Sequence, residues 1–152
     1  MDDVNPATSI EVSAEIDIAA SPAEVWKSLT EGIGEWWDHR FREDSVGVFL
    51  EPHLGGRFYE QFDDSGAGAL YAVVTLLEPP KQLRISGPMG MPGARQYVKT
   101  YNLEPAGEGT KVSTTASMLG DLPDEMRTSY REGGLSLLKA LKSHVEKASI
   151  RA

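Results

Sequence analysis

The sequence predicts an α+β fold: an antiparallel sheet of six or seven strands, a long C-terminal helix, and short helices between the first two strands. Three observations carry this. An alternating strand runs straight into a capped helix near the start of the chain. Seven β-rich segments follow one another, mostly across short turn signals, which favours antiparallel pairing. The strongest helical periodicity lies at the far end, from about Pro123 to Lys147.

Met1 to Ser9 read as a flexible tail, and residues 10–148 as one domain. Ile10, Val12, Ala14, Ile16 and Ile18 repeat at period two, the pattern of a half-buried strand. Ser21 has N-cap chemistry, Pro22 suits the first helical position, and Glu24 completes a capping box. The helix breaks at Gly32, and Ile33 to Asp38 predict one further helical turn. Val46 to Leu50 is a brief apolar run. Arg57 to Phe62 alternates, with Phe58, Glu60 and Phe62 on one face. Asp63-Asp64-Ser65-Gly66 is a turn signal. Leu70 to Leu77 is β-rich and stops at Pro79-Pro80, because proline cannot continue a central strand. Gln82 to Ser86 is short. Gly87 to Ala94 is a loop carrying Met89 and Met91, expected to border a cavity mouth as a lid. Arg95 to Glu104 and Lys111 to Met118 form a hairpin across Pro105 to Gly109. In the last helix Asp121 reads as the N-cap, and Met126, Tyr130, Leu137, Leu138, Leu141 and Val145 make one apolar stripe. Gly133 and Gly134 interrupt that stripe at about 1 kcal/mol each relative to alanine. Either another backbone packs close to them, which is the plainer reading, or room is needed beneath the helix.

Composition narrows the function classes. A chain of 152 residues can bury about 70% of its unfolded surface, so it needs no covalent staples. It has no cysteine, which removes disulfides, thiolate metal sites and a cysteine nucleophile. The net charge of −8 disfavours nucleic acid and anionic membranes as partners. No apolar run is long enough for a membrane span, and the acidic N-terminus lacks the features of a signal peptide, so the expected location is cytoplasmic.

Motifs for catalysis are weak. His39, His53 and His144 fit no metal-ligand spacing, and His144 is read as exposed. There is no nucleophile elbow, and the glycine-rich stretch 87–93 is no phosphate loop. Trp36 and Trp37 either line a ligand mouth, or one packs the short helix on the sheet while the other is half exposed. Tyr97, Lys99, Tyr101 and Leu103 share a strand face, so an inward Leu103 draws Lys99 inward. Glu60 is drawn inward with Phe58 by the same logic. The two charges would then pair in the interior, or a bulge would turn one of them to solvent. Tyr59, Tyr71, Tyr97, Tyr101 and Tyr130 supply apolar bodies with one polar handle each, a chemistry suited to a flat ligand and equally to ordinary strands.

Several stretches together resemble the START-like, or SRPBCC, superfamily, and within it the family named after the activator of the heat-shock-protein-90 ATPase. They are Ile16 to Trp26 with Ser21-Pro22-Ala23-Glu24-Val25, the Trp36-Trp37 pair, Gly55-Gly56-Arg57-Phe58, Glu78-Pro79-Pro80, Leu103-Glu104-Pro105 leading to Gly109-Thr110, and Gly133 with Leu138 and Leu141. The resemblance covers nearly the whole chain. It implies a helix-grip fold, a curved antiparallel sheet wrapped around a long C-terminal α-helix, often with a cavity between them. Where many relatives of this kind carry tryptophan, this chain has Gly134, which implies an enlarged pocket.

The reading that follows is a binding module for a small hydrophobic or aromatic molecule. The candidate ligand-binding residues are Trp36, Trp37, Phe58, Glu60, Tyr71, Met89, Met91, Tyr97, Lys99, Tyr101, Tyr130, Gly134 and Leu138. No catalytic residue, metal or cofactor is assigned. A polyketide cyclase or aromatase-type enzyme using the same cavity is the alternative. A co-chaperone-like domain with a protein partner is the third reading, weakened because a second clamping domain is not expected in a chain of this length. Ligand identity and oligomeric state are not encoded in any motif.

Overall fold

The computed structural model describes residue 4 and residues 6–151, with side chains up to residue 148. Seven strands form one antiparallel sheet in the order β1-β7-β6-β5-β4-β3-β2. They are β1 (Thr8–Ile18), β2 (Gly47–Leu50), β3 (Arg57–Gln61), β4 (Gly68–Glu78), β5 (Gln82–Gly87), β6 (Gln96–Ala106) and β7 (Gly109–Gly120). Helices α1 (Pro22–Leu29) and α2 (Ile33–Trp36) link β1 to β2, and α3 (Met126–Arg151) closes the chain. This is the expected helix-grip arrangement. Thr8 and Ser9, read as tail, already belong to β1, because their backbones pair with Gly120 and Leu119. Residues 1–3 and 5 of that tail lie outside the described residues.

Local chemistry explains the elements. Ser21 Oγ accepts the Glu24 N–H at 3.3 Å, the capping bond expected from the sequence. β4 ends at Glu78, before the proline pair. Register shifts at Phe58/Tyr59 and between Val74 and Leu76 interrupt the ladders of the short-strand half of the sheet. Such bulges bend a strand and sharpen its twist, which curves the sheet toward α3. Asp121 does not cap α3. A turn over Pro123–Glu125 precedes the helix, with the Met126 N–H donating to the Pro123 carbonyl. The Asp121 carbonyl instead accepts from Arg95.

The long helix has two unlike halves. Leu137, Leu138, Leu141 and Val145 are buried in the main core with Ile18, Val25, Leu29, Phe58, Leu83 and Val112. Met126 and Tyr130 are only half-buried, against a smaller cluster of Ile10, Val12, Tyr97 and Met118. The C-terminal half is thus the gripped half. It is tied further by Lys142 Nζ, which donates to the Asp17 carbonyl, and by the Ala19 N–H, which donates to Glu146. His144 is not free in solvent as expected. It bridges Ser28 and Glu35 at 3.2 and 2.6 Å, because α1 and α2 pack on this part of α3. No described helix is long and apolar enough to cross a membrane.

Candidate functional site

Under the N-terminal half of α3 the sheet and helix separate, leaving a cavity of about 420 Å³. Its floor is Tyr97 and Lys99 of β6 with Tyr71 of β4. Its roof is Ser129, Tyr130, Gly133, Gly134 and Leu137 of α3. Trp37, His39, Arg40 and Phe41, from the segment after α2, make one side. Met89 and Gly90, from the β5–β6 loop, make the other. Trp37, Tyr71, Tyr97 and Lys99 are buried while His39, Arg40, Phe41 and Ser129 are exposed, so the cavity runs from the core to solvent.

The two glycines are open, not packed. A Cβ on either Gly133 or Gly134 would meet no atom within 4 Å. The plainer expectation of a close backbone at this point is therefore corrected. The helix carries hydrogen where a side chain would extend into the cavity.

Pleating turns both expected charges inward. Glu60 shares the buried face of Phe58, and Lys99 that of Tyr97, Tyr101 and Leu103. They do not pair. Glu60 accepts the Phe41 and Arg42 amides at 2.7 and 3.1 Å and the Tyr71 hydroxyl at 2.5 Å. These bonds satisfy the carboxylate behind the cavity wall and pin the segment after α2. Burial pushes the Glu60 carboxyl up, but the hydrogen bonds outweigh burial and hold it below the usual carboxylate range. The same burial and bond push the Tyr71 phenol up, so it remains a proton donor. Burial also raises the Tyr97, Tyr101 and Tyr130 phenols, and all stay neutral near pH 7.

Lys99 Nζ lies 4.8 Å from the Tyr101 ring centroid. Among the described residues it has no salt-bridge partner within 4 Å. It faces the cavity, and so does Tyr97, two residues away on the same face of the strand.

Seven of the residues named from sequence come together at this wall: Trp37, Tyr71, Met89, Tyr97, Lys99, Tyr130 and Gly134. Six do not line it. Trp36 is in the core, its Nε1 donating to the Ser28 carbonyl at 2.8 Å. Phe58 packs edge-on behind Trp37 with ring centroids 4.9 Å apart. Glu60 sits behind Tyr71, Tyr101 and Leu138 belong to the core, and Met91 lies outside the wall, where the Tyr130 hydroxyl donates to its sulfur. Both tryptophans are buried, so neither is the half-exposed one that the alternative reading required. Sequence reasoning missed His39, Arg40, Phe41, Gly90, Ser129, Gly133 and Leu137 as wall residues. Leu137 was visible only as core, and the segment after Trp37 has no periodicity to place it. No group of three or more metal-ligating side chains occurs among the described residues.

The chain matches proteins of known family and structure over nearly its whole length. Residues 9–146 match the family model described as polyketide cyclase / dehydrase and lipid transport. No curated protein matches the sequence significantly. A solved structure from Rhizobium leguminosarum superposes with a TM-score of 0.74 at 18% identity, covering 95% of this chain and 99% of that one. The Aha1 dimer from Colwellia psychrerythraea gives 0.64 at 21% identity, covering 90% and 96%. Ara h 8.0201 gives 0.66 at 14% identity, covering 92% and 99%. At such identities the likeness to these structures concerns the fold alone.

Proposed function

Because the chain belongs to the polyketide cyclase / dehydrase and lipid transport family, of the SRPBCC type expected from its sequence, we propose that it binds a small apolar or aromatic molecule in the cavity beneath α3. The observation that carries this is the pair of open glycines, Gly133 and Gly134, above aromatic walls. A helix that merely covered a core would gain stability from alanine or a larger residue there. A volume of about 420 Å³ lies in the ordinary range for small-molecule sites, and its walls combine apolar surface with a few polar groups. Tyr71, Tyr97, Tyr130 and Trp37 line it with aromatic rings.

The cyclase-type alternative needs an acid–base set inside the cavity. Glu60 is its natural carboxylate, but it does not line the cavity and accepts three hydrogen bonds from Phe41, Arg42 and Tyr71. Binding without chemistry is the better supported reading. Native mass spectrometry of freshly purified protein tests it. A co-purified mass that Gly134→Trp eliminates supports the reading. Failure of the protein to take up any apolar probe, including N-phenylnaphthylamine, sinks it.

A further inference from the structure

Resting on that reading of the cavity, we propose that the ligand is an acid: an apolar or aromatic body with one anionic group, such as a carboxylate, held by the Lys99 ammonium. Lys99 is only 2% exposed. Lysine is almost never buried this far without a partner. Here no carboxylate lies within 4 Å of Nζ among the described residues, and Nζ opens onto the cavity instead of being sealed in the core. The Tyr101 ring face supports the cation but offers no lone pair in the manner of an oxygen acceptor. Glu60, the inward carboxylate on the same sheet, is already committed to Tyr71 and to two backbone amides.

The charge of the wall points the same way. The chain has 23 acidic residues against 15 lysines and arginines, yet among the described residues no aspartate or glutamate lines the cavity. Its charged wall residues are Lys99 at the floor and Arg40 at the mouth, with His39 beside Arg40. His39 faces Asp38 at 3.3 Å, outside the wall. Among the described residues Arg40 has no carboxylate partner within 4 Å, and it donates to the Gly34 carbonyl. A neutral hydrocarbon filling the cavity would displace water from the ammonium and put no acceptor in its place. An anion placed over Lys99 would satisfy it in a low-dielectric site, where a charge-assisted bond is strong. The Tyr97 hydroxyl, neutral and two residues along the strand, is positioned as a second donor.

Two probes with the same aromatic body separate the cases. Anilinonaphthalene sulfonate is anionic, and N-phenylnaphthylamine lacks the charge. Wild-type protein should bind the sulfonate at least about tenfold tighter, the weight of a charge-assisted hydrogen bond. Lys99→Met keeps the length and apolarity of the side chain. It should abolish that preference and leave N-phenylnaphthylamine binding in place. A Lys99→Met protein that keeps the preference overturns the proposal. The second arm uses the wild-type protein alone. Decanoate should displace N-phenylnaphthylamine at lower concentration than decanol does, and equal or better displacement by decanol overturns the proposal. Uptake of the neutral probe without any acid preference leaves the cavity reading standing and removes only this one. Uptake of neither probe removes both.

Discussion

Tyr71 and Glu60 join across adjacent strands through a buried hydrogen bond of 2.5 Å. The ring of Tyr71 faces the cavity while its hydroxyl reaches a carboxylate that holds the Phe41 and Arg42 amides. One side chain therefore forms a wall of the cavity and braces the segment that makes its rim. Phe41 stacks on that same ring, 6.1 Å between centroids at 14°.

Tyr71→Phe keeps the ring and deletes the bond. The expected loss is about 1.5–3 kcal/mol by urea denaturation at neutral pH, the range for hydrogen bonds to charged groups. The pH dependence follows from the lowered Glu60 carboxyl. Its ionised form contributes stability that is fully present above the ordinary value of 4.5 and is lost as pH falls through the lower folded-state value. The gap between wild type and Tyr71→Phe should be widest above that value and narrow below it. A gap that grows on acidification contradicts this account.

Gly134 separates an empty cavity from a packed wall. Gly134→Ala should raise stability by about 0.5–1 kcal/mol, since the new methyl meets open space and the unfolded chain loses freedom. Gly134→Trp should melt no lower than wild type and lose N-phenylnaphthylamine binding, because indole and probe compete for one volume. Normal melting with unchanged probe binding would show that Gly134 does not shape the cavity.

The two halves of α3 should respond differently to truncation. Leu141 is fully buried, and Leu141→Ala should cost about 2–5 kcal/mol. Leu135 is 37% exposed, and Leu135→Ala should change stability by less than about 0.5 kcal/mol. Chemical denaturation of the two variants measures both.

The β5–β6 loop is read as a lid. The Met89 N–H donates to the Tyr71 carbonyl at 2.8 Å, which seats its side chain on the cavity, and Met91 is held at Tyr130. Met89→Ala should speed dissociation of N-phenylnaphthylamine in stopped-flow measurements, with a smaller effect on its association. An unchanged dissociation rate removes the lid role.

Much of the architecture was legible from the chain because it is local. Alternation over Ile10 to Ile18, the Ser21 cap, the Pro79-Pro80 stop and the stripe from Leu137 to Val145 each rest on neighbours a few residues apart. Pleat geometry even carried Glu60 and Lys99 to the interior, since each is tied by period two to an apolar residue that must be buried. It could not say what either charge meets there, because that depends on which strands and loops lie opposite. Phe41 and Arg42 reach Glu60 from a segment without periodicity, while Lys99 on β6 is separated from β3 by two intervening strands.

The sequence by itself determined the strands, the Ser21 cap, the inward faces and the resemblance to a helix-grip family. Only the tertiary structure decided that Glu60 is satisfied behind the wall, that Arg40 and Phe41 form the mouth, and that Gly133 and Gly134 look onto empty space. A missing side chain reads the same in sequence whether another backbone fills its place or nothing does. The difference lies in the separation of helix and sheet, which the curvature of seven strands and the grip on one half of α3 set together.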